Sequence, residues 1–159
     1  IIYFLGLTPA FIWQQPWTII TNMFVHGSFT HILFNMISLY FLGSFLIRLV
    51  GEKNFLKIYF LGGIAGNILY ILLAPSLSVG IGASGAIFAL GGALAILAPK
   101  LKVFVFFIPI PMPLWAAMLF FLVISLFVAS IAWEAHLGGF LLGLIAGYFL
   151  KRGRQIYYA

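Results

Sequence analysis

The sequence contains no cysteine and no aspartate, and its only acids are Glu52 and Glu134. Without cysteine there is no disulfide, no thiol nucleophile and no Cys-ligated metal. Without aspartate, and with two acids far apart, paired-carboxylate chemistry is excluded. No His-Glu-x-x-His pattern is present to hold a catalytic zinc. The same scarcity weighs against a proton- or cation-coupled transporter, which needs an acid within the membrane. Charge of either sign is sparse: 6% of residues are charged and 65% are hydrophobic. Soluble domains carry about a quarter of their residues as charges, so water cannot coat the whole exterior and lipid must solvate most of it. The net charge of +6 does not imply nucleic acid. A basic binding patch needs clustered charge on a water-facing surface, and here the cations are few and lie between apolar runs. No nucleic-acid partner is expected.

Five apolar runs are bounded by turn or charge signals, at 29–49, 54–74, 84–99, 113–133 and 135–150. At about 1.5 Å per residue each crosses, or nearly crosses, a hydrocarbon core of about 30 Å. Residues 1–7 read as the end of a further span, so the expectation is an all-α membrane protein: a polytopic bundle with a six-helix core whose first helix is truncated in this chain. Residues 8–28 read as an outer loop and 151–159 as a tail. No signal-peptide pattern, repeat or second domain is visible, and 1–159 reads as a single transmembrane domain.

All eight Lys and Arg fall in three places: Arg48, Lys53 and Lys57; Lys100 and Lys102; Lys151, Arg152 and Arg154. With helices alternating in direction, these lie on one face. The opposite connections, 8–28, 75–83 and the turn near 134, hold none. The positive-inside rule makes the charged face and the C-terminus cytoplasmic.

Polar residues can then be placed in depth. Ser84 lies 16 residues before Lys100, His136 lies 15 before Lys151, and Asn35 and His31 lie 13 and 17 before Arg48. At the helical rise, all four stand roughly 20–25 Å above the charged face. A buried polar group in lipid must be paired or wetted. These residues therefore form either a hydrogen-bonded knot between helices or a reaction centre.

Local sequence bears on that choice. Gly80-Ile81-Gly82-Ala83-Ser84-Gly85 puts Ser84 at the start of a helix, where unpaired backbone N–H groups suit a developing oxyanion. An ordinary N-cap serine would look the same. On the last run, positions 136, 139, 143 and 147 share one helical face. On the third, 84, 88, 91 and 95 do so. Facing stripes of small residues let membrane helices approach closely, and if these stripes meet, His136 and Ser84 come within hydrogen-bond reach. Glu52 is remote, and Glu134, two residues before His136, points away from it. A serine–histidine pair without a carboxylate is the arrangement expected.

These residues resemble the rhomboid family of intramembrane serine proteases, from about Trp17 to Gly147. The matching motifs are His26-x4-His31-x3-Asn35, Gly82-Ala83-Ser84-Gly85 and Ala135-His136-x2-Gly139-x3-Gly143, with Gln15-Pro16-Trp17 and Gly43 beside them. The resemblance implies a catalytic Ser84 and His136. It implies an oxyanion site of His31, Asn35 and the Ser84 N–H, and supporting roles for His26, Gly82, Phe88 and Gly139. It implies single-span membrane proteins as substrates, cut near the outer end of their helix after a small residue, with no cofactor and no metal. The expected location is the plasma membrane of a prokaryote, with the active site opening to the outer face. Thr18, Ile47 and Phe88 depart from residues common in the family. Two rival readings are a rhomboid-like protein that binds membrane clients without cutting them, and a channel or transporter with a metal site of His26, His31 and His136.

Overall fold

The structure, a computed structural model, describes residues 1–105 and 108–155. It is a helical membrane bundle. A short α1 (Ile2–Leu5) and a loop carrying α2 (Thr18–Thr21) and two single-turn 3-10 helices precede α3 (Phe29–Val50) and α4 (Glu52–Leu73). Then come α5 (Ser84–Leu97), a hairpin of β1 (Lys102–Val105) and β2 (Ile108–Pro113), α6 (Leu114–Phe127) and α7 (Trp133–Gln155). Among the described residues, α3, α4 and α7 are long and apolar enough to cross a membrane, while α5 and α6 are shorter apolar helices of 14 residues.

The boundaries have local causes. The Ser28 hydroxyl accepts the N–H of His31 at 3.1 Å and caps α3, as an N-cap serine does. Gly51, at φ +80°, separates α3 from α4. That left-handed conformation favours glycine, and Glu52 then sits at the positive end of α4. The 84–99 run is helical only to Leu97. Ala98 leaves the helical region (φ −134°, ψ 62°) because a residue before proline, here Pro99, is pushed out of it. The 113–133 run is also shorter than expected, ending at Phe127. Val128 is extended and a turn closes from the Ile131 N–H to the Val128 carbonyl at 2.9 Å.

Conversely, α7 begins at Trp133 and extends past 150 to Gln155. The turn expected near 134 is therefore its first helical turn, and residues 151–155 are helix, continued by good helix formers such as Lys151 and Arg152. The rest of the expected tail, 156–159, lies outside the described residues. The hairpin was not foreseen. Prolines at 109, 111 and 113 forbid helix there, and a two-stranded ribbon, all edge, tolerates their missing N–H groups.

Helix α5 is the centre of the bundle, with every residue from Gly85 to Leu94 buried. A helix apolar all round belongs inside other helices. At about 1.5 Å per residue it spans about 21 Å, less than the hydrocarbon thickness, so its neighbours must enclose its ends. They can do so because the contacts are made by glycine and alanine. A Cβ on Gly139 would collide with the Gly85 carbonyl, one on Gly143 with that of Ala89, and one on Gly147 would lie 2.8 Å from that of Ala93. The α7 stripe 139, 143 and 147 is the one expected. On α5 the residues against those glycines are 85, 89 and 93; of the expected 84, 88, 91 and 95, Ser84 and Phe88 meet His136 of α7, while Gly91 meets Met118 of α6. Gly62 of α4 closes on Ala89, Gly63 on Met23 and Gly66 on the Ala135 carbonyl.

Helices α5 and α7 thus run parallel, with α4 antiparallel to both. The Lys151 Nζ lies 3.4 Å from the Ile96 carbonyl at one end, and Ser84 and His136 lie at the other. Gly139→Ala is expected to destabilise the bundle by about 1–3 kcal/mol, the usual effect of overpacking, read as a lower unfolding midpoint in detergent. Gly153→Ala, where a Cβ meets nothing within 4 Å, should leave the midpoint in place; equal midpoints for both variants would disprove the close α5–α7 contact.

Candidate active site

Ser84 is the first residue of α5, so its own N–H lies outside the helix's hydrogen-bond ladder. Its Oγ is 2.8 Å from His136 Nε2, a bond between residues on separate helices made possible by the Gly85–Gly139 approach one turn below. The His136 ring is buried and stacks on Phe88, with centroids 4.3 Å apart and planes at 17°. Its Nδ1 is buried and has no hydrogen-bond partner among the described residues. No carboxylate therefore orients the imidazole; helix packing and the Phe88 face do. With the proton on Nδ1, the neutral ring presents the Nε2 lone pair to the serine hydroxyl.

The chain before Ser84 is tightly built. Gly80 exchanges two backbone hydrogen bonds with Leu7, at 2.8 and 2.9 Å, and the Gly82 N–H donates to the Asn22 carbonyl at 2.9 Å. Gly82 has φ +114°, and a Cβ there would lie 2.6 Å from His31 Nε2 and 3.7 Å from Asn35 Nδ2. Glycine is needed twice over, for the dihedral angle and for the His31 ring. His31 Nδ1 accepts the Gly27 N–H at 3.4 Å, which leaves the proton of the neutral ring on Nε2, facing Gly82. The Asn35 Nδ2 donates one bond to the His31 carbonyl at 3.1 Å. His26 packs edge-on against His31, centroids 4.9 Å apart. Both His26 ring nitrogens are buried. Burial lowers the pKa of His26, the Phe24 backbone opposing the shift in part, which keeps this imidazole neutral.

The structure therefore brings Ser84, His136 and Phe88 together on one side, and Gly82, His31 and Asn35 on the other, with His26 behind His31. Among the described residues no group of three His, Cys, Asp or Glu side chains is arranged to hold a metal, so the three-histidine cluster is not assembled.

Two residues escaped the sequence reading. Asn22 and Asn67 are buried and bonded to each other through both amides, at 3.0 and 2.8 Å. They line a small cavity with Tyr70, Gly82, Ser84 and Ala135. The signal was available: an asparagine within an apolar span, as Asn67 is in α4, must find hydrogen-bond partners that lipid cannot supply.

A short central helix enclosed by glycine-packed neighbours, with a serine and a histidine meeting inside it, defines an integral membrane protein of a particular architecture. Residues 13–153 match the Rhomboid domain family model, and the chain belongs to the rhomboid family. It is 32% identical over 154 residues to "Rhomboid protein 1, mitochondrial" of Saccharomyces cerevisiae, covering 85% of this chain and 42% of that protein. It is 33% identical over 158 residues to "RHOMBOID-like protein 12, mitochondrial" of Arabidopsis thaliana, covering 86% and 47%. With the "Putative rhomboid protease YdcA" of Bacillus subtilis it shares 43% identity over 76 residues, 48% of this chain and 38% of that protein. The chain thus spans less than half the length of these curated relatives. They include mitochondrial as well as bacterial proteins, and give no support to the expected prokaryotic plasma membrane.

Proposed function

We propose that the chain is an intramembrane serine endopeptidase that cuts single-span membrane proteins with Ser84 as nucleophile and His136 as general base. The observation that carries this reading is the 2.8 Å contact between Ser84 Oγ and His136 Nε2 at a helix N-terminus. Oγ attacks the scissile carbonyl carbon as its proton passes to Nε2. The carbonyl oxygen becomes an oxyanion, which the Ser84 N–H, His31 Nε2–H and Asn35 amide are suited to stabilise. Collapse breaks the C–N bond, and His136 returns the proton to the leaving amine. Water, activated by the same imidazole, then hydrolyses the acyl-enzyme. The reaction uses no metal or cofactor.

The family resemblance implies a small residue before the cut. With the Lys- and Arg-bearing end cytoplasmic, the site opens toward the outer face. The chain in detergent should be modified by a labelled fluorophosphonate, with the adduct on Ser84 by mass spectrometry. A probe that leaves Ser84 unmodified, or modifies another serine equally, would tell against this reading.

A further inference from the structure

The geometry points to Asn67 as a positioning residue for the reaction centre, acting through Asn22 on the Gly82 backbone. The inference rests on the proteolytic reading above. Asn67 sits in the apolar α4 and is buried, and its amide is fully engaged. Nδ2 donates to the Ile19 carbonyl and to Asn22 Oδ1, both at 2.8 Å, and Oδ1 accepts from Asn22 Nδ2 at 3.0 Å. Both donors of one side chain thus hold a segment of loop more than forty residues earlier in the chain.

A clasp of this kind would only anchor the loop if it ended at Asn22. It continues. The Asn22 main-chain carbonyl accepts the Gly82 N–H at 2.9 Å, and Gly82 is two residues before Ser84 and in contact with the His31 ring. The Leu7–Gly80 pair lies further back, beyond Ile81, so among the described residues the Asn22–Gly82 bond is the last backbone hydrogen bond to another element before α5 begins. Asn22 itself opens a three-residue 3-10 turn, Asn22–Phe24, which has little rigidity of its own. Asn67 supplies that rigidity. Misplacement of catalytic groups by about 1 Å is enough to slow a reaction on the order of 100-fold, so a smaller drift of the Asn22 carbonyl has a measurable effect on the alignment of Gly82, His31 and Ser84.

The test is a cycle of Asn67→Ala, Asn35→Ala and the double variant, with kcat and KM measured on a model transmembrane substrate and the unfolding midpoint recorded for each. Asn67→Ala should lower kcat about tenfold with KM within about twofold, as for a group acting on the transition state alone. In the double variant the two losses should fall short of multiplying, because part of what Asn67 aligns is already gone. Asn22→Ala keeps the backbone carbonyl but frees it from the clasp, and carries the same expectation if Asn67→Ala does not fold. A folded Asn67 or Asn22 variant with unchanged kcat, a change in KM alone, or losses that multiply in full would overturn the positioning role while leaving the protease reading intact. A wild-type chain that neither cleaves nor takes the fluorophosphonate would overturn both.

Discussion

Ser84→Ala and His136→Ala should each abolish cleavage of a model transmembrane substrate, lowering the rate by on the order of 10⁵-fold or more, and the double variant should be no slower than either. In the proposed mechanism Ser84 is activated through its 2.8 Å contact with Nε2, so losing either partner removes the same step. The unfolding midpoint should move little in Ser84→Ala, which gives up one hydrogen bond, about 1 kcal/mol, and more in His136→Ala, which also removes a buried ring stacked on Phe88, while the Gly85–Gly139 contact that joins the two helices remains. Ser84→Ala should still retain substrate in a pull-down, because docking depends on the space between helices and not on the hydroxyl. A metal chelator should leave the wild-type rate unchanged. Cleavage that survives Ser84→Ala, or that disappears with the chelator, would show that Ser84 is only the first residue of a helix.

Asn35→Ala should slow cleavage by on the order of 10²-fold, the usual loss when one oxyanion donor is removed from a water-poor site. The loss should appear in kcat and not in KM, because the oxygen carries full negative charge only in the transition state. Asn35 is buried, and among the described residues its amide donates a bond to the His31 carbonyl of its own helix alone. That bond is local, so its loss should have a small effect on the fold. Turnover unchanged in Asn35→Ala would return this side chain to helix packing, and leave stabilisation of the oxyanion to His31 and the Ser84 N–H.

Much of the architecture was legible from residues alone, for a reason particular to membranes. Lipid permits few backbone solutions, so five long apolar runs already implied a helical bundle, and the grouping of Lys and Arg implied which helix ends lie together. The Lys151–Ile96 contact and the parallel packing of α5 and α7 fit that grouping. Helix ends were legible where a single residue decides them, as at Gly51, but not at Phe127 and Trp133, where the apolar sequence runs on and only the turn between α6 and α7 breaks the helix.

For the site, the sequence by itself determined the helical membrane class and which side chains stand at one depth. Ser84, His136, His31 and Asn35 were placed there by counting residues from the charged ends, since the helical rise is constant. Periodicity also supplied the α7 glycine stripe. Only the tertiary structure decided which α5 residues meet that stripe. Neighbouring positions on a helix differ by about 100° in direction, and in an all-apolar helix such as α5 nothing in composition distinguishes 85, 89 and 93 from 84, 88 and 91. It also decided that Phe88 covers the His136 ring, that His31 lies against Gly82, and that Asn67 grips Asn22. Each of these joins residues 45 to 54 positions apart, and such pairings exist only once glycine-to-backbone contacts have set the spacing of the helices.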